Sequence, residues 1–142
     1  MQDQIEQGAQ VVLELNVWAI LVAALSSFML GGLWYSPVLF GKTWCKEMGR
    51  SMDETSGHPA KVFGFALLFS CIAAYSFAWW IGPAPELIHA LSRAAIAGGG
   101  FVACCFGINY QFAGHSWKLL GIDAGYHFVQ FGLFGVVLGL WH

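Results

Sequence analysis

Apolar residues run almost unbroken through four stretches of this chain, and polar residues collect between them. The stretches are Val17 to Trp34, Val62 to Ile81, Ala94 to Tyr110 and Ile122 to Trp141. At about 1.5 Å of rise per residue, roughly 20 apolar residues cross a hydrocarbon core about 30 Å thick. The pattern therefore predicts an all-α protein, an integral membrane four-helix bundle, with spans at approximately 16–35, 61–81, 90–110 and 122–141. Residues 1–15 form an extension ahead of a single four-span domain, 16–142. The opening "MQDQIEQ" has no Lys or Arg and no small-residue cleavage site follows, so the first run reads as a permanent span and not a signal peptide.

Between the first two runs lies "LWYSPVLFGKTW". Proline disfavours the α region in its predecessor, so the first helix should stop near Tyr35 or Ser36. Ser36 and Pro37 are then a natural N-cap and first residue of a new helix. On it Phe40, Trp44 and Met48 share one face, and Lys42, Lys46 and Arg50 the opposite one. That is the pattern of a short helix lying in the membrane interface, basic side toward water and anionic lipid headgroups. A P-loop reading of Gly41-Lys42-Thr43 fails, because the upstream glycine position holds Ser36. Gly41-Lys42-Thr43-Trp44 also resembles Gly114-His115-Ser116-Trp117, each after a span running the same way. Two repeated helical hairpins would produce this, and so would convergent interface chemistry.

Small residues recur four apart inside the runs: Ala23, Ser27, Gly31; Ala66, Ser70, Ala74, Ala78; Ala95, Gly99, Ala103, Gly107; Gly121 and Gly125, then Gly135 and Gly139. Such stripes let helix backbones approach closely in lipid. They predict a tight bundle, and the Gly135/Gly139 pair is available to a second copy. Gly98-Gly99-Gly100 reads as a close crossing point or as a hinge.

Composition sharpens the picture. Hydrophobic residues make up 58% of the 142 residues and charged residues 10%, against about 45–50% and 25% for soluble domains. Too few charges remain to coat a water-soluble globule. Lys42, Lys46, Arg50 and Lys61 fall between spans one and two and Lys118 between three and four, with only Arg93 on the other side. The basic excess marks the cytoplasmic side, which leaves both termini extracytoplasmic. All seven Trp lie at span ends or in adjoining turns; Trp34, Trp44 and Trp117, with Tyr35, are expected at the inner lipid interface. Cys45, Cys71, Cys104 and Cys105 offer no CxxC pair and none lies in an outer loop, so neither zinc nor a structural disulfide is expected.

Few polar groups sit at membrane depth. Asn109 and Tyr110 close the third run. Asp123, Tyr126, His127 and Gln130 occupy the start of the fourth, with Asp123 and His127 at i,i+4 on one helix face. Ionisable groups inside a span are costly and face a bundle interior or a watery cavity. These six residues form the candidate polar site. One reading is a proton or solute site. Another is static: Asp123 caps the fourth helix while His127 and Gln130 bond neighbouring helices. Haem would need paired axial ligands, yet the other histidines lie in loops or at helix ends. No cofactor is expected, nor a nucleic-acid partner, and no catalytic constellation supports an enzyme.

"LWYSPVLFGKTW", "NY…KLLGIDAGYH" and the closing "GVVLGLW" together resemble the family called domain of unknown function 1761, from about Asn16 to Trp141. The resemblance implies four spans and a bacterial cytoplasmic membrane. It supplies no activity, cofactor or catalytic residue. The function that fits best is a homo-oligomeric channel or transporter, most simply a dimer, for a small solute or protons. The alternative is a structural or accessory subunit of a larger membrane assembly.

Overall fold

The computed structural model describes residues 1–54 and 57–142, Val12 and Leu13 by backbone alone; Thr55 and Ser56 of the polar connector lie outside the described residues. The described residues are helical, without strands: α1 (Gln2–Glu14), α2 (Val17–Trp34), α3 (Gly41–Glu47), α4 (Pro59–Ile81), α5 (Leu87–Ala95), a wide π-helical stretch (Ile96–Ala103), α6 (Cys104–Ala113) and α7 (Trp117–Leu140). Leu87–Ala113 is one continuous rod, and it, α2, α4 and α7 are each long and apolar enough to cross a membrane.

The helix ends have local causes. Asn16 Oδ1 accepts the Ala19 N–H at 3.1 Å and caps α2. Pro59 opens α4, where its missing N–H costs nothing, and Gly82 at φ 87° closes it. Gly114 ends α6 in the left-handed region, and Ser116 Oγ caps α7 by accepting the Leu119 N–H at 3.1 Å. The serine cap starts α7 five residues before the expected boundary at Ile122. Asp123 therefore stands in the second turn of the helix and is not its cap.

α2 packs on α4 and on α7, and α7 packs on α5 and the π stretch; α4 touches α7 only sparsely. The core lies toward the end where the α1–α2 junction and the C-terminus meet the α4–α5 turn. It is built on alanines, among them Ala19, Ala23, Ala74, Ala78, Ala90 and Ala94, closed by Phe77, Phe134 and Leu138. A Cβ on Gly135 would lie 3.1 Å from the Ala90 oxygen, and one on Gly139 3.0 Å from Leu87 Cα. These glycines are consumed by α5 and are not a free face for a second copy. Gly98 is a crossing point: its Cβ would lie 2.9 Å from Phe128 Cα. The expected stripe through Ala95 is displaced by one position: Ala90, Ala94 and Gly98 are buried, with Ala97 beside them.

The opposite end differs in two ways from expectation. The turn after α2 is longer than a proline-started helix would make it. Ser36 Oγ donates back to the Leu33 carbonyl at 2.7 Å, the Ser36 carbonyl accepts from the Leu39 and Gly41 N–H groups, and α3 begins only at Gly41. A Cβ there would sit 2.3 Å from the Tyr35 carbonyl oxygen, so the tight return of the chain requires glycine. α3 then ends at Glu47 and Gly49 turns at φ 65°, which removes Arg50 from the basic stripe of Lys42 and Lys46. The similar quartet at Gly114 adopts another conformation, a left-handed glycine followed by a cap.

α4 packs by one half only. Its buried residues are Ser70, Ala74, Phe77, Ala78 and Ile81, whereas Pro59–Phe69 is exposed except for half-buried Leu67. The bundle is sealed at the end with the C-terminus and open at the end with α3.

Candidate functional site

Asp123 is 7% exposed and is the focus of the α3 end. Its Oδ1 accepts hydrogen bonds from the Tyr35 hydroxyl at 2.7 Å and the Trp44 indole N–H at 3.1 Å. Its Oδ2 accepts from the Tyr110 hydroxyl at 2.5 Å. Three neutral donors thus reach one carboxylate from the end of α2, from α3 and from α6. Hydrogen bonds to a carboxyl group are among the stronger ones, and these tie four segments together. Ser116 Oγ donates to Glu47 and joins the two turns of this end. Trp34 points its Nε1–H at the Ile122 carbonyl, 3.0 Å away, and lays its ring on Gly125. The Trp-Tyr pair that closes the first apolar run therefore directs its polar atoms into the protein, as does Trp44. Trp117, by contrast, is 74% exposed, and Lys42 and Lys46 are exposed on α3.

A second polar chain runs deeper. His127 Nδ1 and Gln130 Oε1 are 2.7 Å apart, and Gln130 Nε2 donates to Ser27 Oγ at 3.5 Å. Ser27 and Ser70 Oγ are 2.6 Å apart, Ser70 also donates to the Ala24 carbonyl, and Tyr126 donates to the Ser27 carbonyl at 3.1 Å. Serines of α2 and α4 are thereby joined to α7. The His127 ring lies among Phe106, at 5.0 Å between centroids, and Tyr126, at 4.9 Å. Asp123 and His127 share a helix face, but each bonds other partners.

Two cavities lie here. A vestibule of about 490 Å³ under α3 is lined by Asp123, Trp44, Arg50, Glu54 and Phe106. A cleft of about 720 Å³ lies between the exposed half of α4 and α7, walled mainly by Phe28, Phe63, Phe69 and Phe131 and reaching Ser70 and Gln130. Tyr35 and His127 belong to the walls of both and stand between them.

Of the six expected site residues, Asp123 and Tyr110 are joined directly, and Tyr126, His127 and Gln130 form the second chain. Asn109 is exposed and lines a separate groove of about 270 Å³. Sequence reasoning missed Ser27 and Ser70, which it took only for their size, and Trp44 and Tyr35 as donors to Asp123. The available signal was a hydroxyl in mid-run on two different helices. Among the described residues no three His, Cys, Asp or Glu side chains gather as a metal would need.

Four helices long and apolar enough to cross a membrane, with a polar site buried among them, give an all-helical protein whose architecture is compatible with a bilayer. The chain belongs to the family described as "Protein of unknown function (DUF1761)", which matches residues 18–139. No curated protein and no solved structure matches it.

Proposed function

We propose that the protein is a four-span carrier of the bacterial cytoplasmic membrane, with α3 and the connector on the cytoplasmic side, holding a small, largely uncharged solute beside His127. The observation that carries this reading is that vestibule and cleft lie on either side of Tyr35 and His127, beside a half of the bundle closed by its apolar core. A solute from the α3 side reaches mid-bilayer and stops: His127 lies about 15 Å along α7 from Trp117. A site open to one side and closed to the other is what alternating access requires. A fixed proton channel is a poorer fit, because the hydrogen-bonded chain ends at Ser70 and apolar packing follows. Asp123 serves as the anchor that holds the open end in shape.

Accessibility of one introduced thiol tests the carrier. In a variant with the four native cysteines replaced, Ala66→Cys lies on the cleft wall. A membrane-impermeant maleimide should label it rapidly from the α3 side of sealed vesicles and slowly, but measurably, from the other. No labelling from the far side over hours would refute the carrier and favour an accessory subunit. The accessory reading has its own support in the Asp123 clamp, which is built for rigidity.

A further inference from the structure

The cleft has a chemistry that narrows its occupant. Its walls carry no Lys, Arg, Asp or Glu, and are aromatic or small along most of their length. One wall is the half of α4 left exposed, so the space is bounded on that side by a helix that faces lipid. Volumes of a few hundred to about 1,000 Å³ are those of small-molecule sites.

The polar end can be read atom by atom. Ser27 has one hydroxyl proton and two near acceptors for it, Ser70 Oγ at 2.6 Å and the Ala24 carbonyl at 3.0 Å. Toward Gln130, at 3.5 Å, it therefore presents a lone pair, and Gln130 turns its NH₂ there. With the amide in that orientation the Gln130 carbonyl faces His127, and Nδ1 is the nitrogen that donates. In neutral imidazole this leaves Nε2 as an acceptor, and no described residue donates to it. This arrangement favours the Nδ1–H tautomer in a histidine that the walls of cleft and vestibule share.

We propose that the cleft binds a single-chain amphiphile with a hydroxyl or carboxylic acid head. Its chain lies between α4 and α7, and its head donates a hydrogen bond to His127 Nε2. The vestibule gives the head a way to water, and the exposed half of α4 gives the chain a way to the bilayer. This deepens the carrier reading by naming the class of its solute, but the binding step stands or falls separately.

The test uses the whole protein in phosphatidylcholine liposomes, with palmitic acid bearing a diazirine near its chain end as the probe. After photolysis, peptide mass spectrometry should place the label on Phe63, Ala66 or Phe69. Gly32 lines the cleft, and a Cβ there meets nothing within 4 Å. Gly32→Phe should therefore fill the space without disturbing the fold, and cut labelling at these positions about tenfold, the equivalent of roughly 1.4 kcal/mol. His127→Phe should remove the preference for the acid over its methyl ester, which lacks the donor, a change of about fivefold for one hydrogen bond. Label spread evenly over all lipid-facing helices, or unchanged by Gly32→Phe, would overturn the proposal. So would an Ala66→Cys disulfide between two copies that excludes the probe, which would make the cleft a dimer interface. If far-side maleimide labelling fails while Gly32→Phe still blocks the acid, the carrier reading falls and the binding site remains.

Discussion

Gly41 sits where the chain folds back on the Tyr35 and Ser36 carbonyls, and a methyl group has no place there. Gly41→Ala should cost about 1–3 kcal/mol, as other overpacking substitutions do, and should swing Trp44 off Asp123. Indole emission will report this as a red shift on top of a lower melting temperature. Asp123 carries the converse lesson. Asp123→Ala leaves three part-buried donors without their acceptor, at a cost for each of up to about 1–3 kcal/mol, the figure for a fully buried group. Asp123→Asn keeps an acceptor for two of them and should lose only part of that. Thermal unfolding in mild detergent should rank the proteins wild type, Asn, Ala. Equal melting temperatures for all three would show that the carboxylate anchors nothing. That Asp123 mattered was readable from a charge in an apolar run; which groups reach it was not, because Tyr35 and Trp44 stand 88 and 79 positions away.

Among elements, the helices were legible and their faces only partly so. Four apolar runs marked four rods, two of them short at the start by seven and five residues, since length and hydropathy need no knowledge of neighbours. The Ser116 cap hid inside a turn, and the proline at 37 promised a helix that the Ser36 hydroxyl delays. Small-residue stripes held in α2 and in the sealed half of α4. In the third rod the packed small residues are Ala90, Ala94 and Gly98, still four apart but one position ahead of the stripe through Ala95 and Gly99, a register that composition alone does not fix. Two glycines separate packing from mere composition. Gly98→Ala drives a Cβ to within 2.9 Å of Phe128 Cα and should destabilise by about 1–3 kcal/mol. Gly132→Ala meets nothing within 4 Å and should gain about 0.5–1 kcal/mol of helix propensity. Refolding titrations in mixed micelles can compare them.

For the whole molecule, the charge distribution and the open end coincide. Lys42 and Lys46 stand exposed on α3, beside the vestibule, and we expect that end in the cytoplasm. A thiol placed at Asp53 should react with impermeant reagent only from the cytoplasmic side; reaction from the outside alone would invert the orientation. Lys42→Glu with Lys46→Glu should weaken binding to anionic lipid by about 1 kcal/mol per residue, visible as reduced lipid co-purification. The expectation of a dimer has lost one support, since Gly135 and Gly139 are occupied by α5. The cleft itself was not legible, because it arises from a half of α4 that is as apolar as the half that packs.

The wide stretch in the third rod also sets a clock for the site. Each residue added to or removed from a helix turns everything beyond it by about 100°. Tyr110 lies past Ile96–Ala103, so its aim at Asp123 depends on how many residues that stretch contains. Inserting one alanine after Gly100, where a Cβ touches only Ile96, adds a residue while the stretch stays wide, and should rotate α6 as a unit. Tyr110 would then leave the carboxylate while the contacts of α5 with Gly135 and Gly139 stayed in phase. The rod is, in this sense, an indexing shaft: one half is keyed to α7 by glycine, and the other is dialled onto Asp123 by residue count.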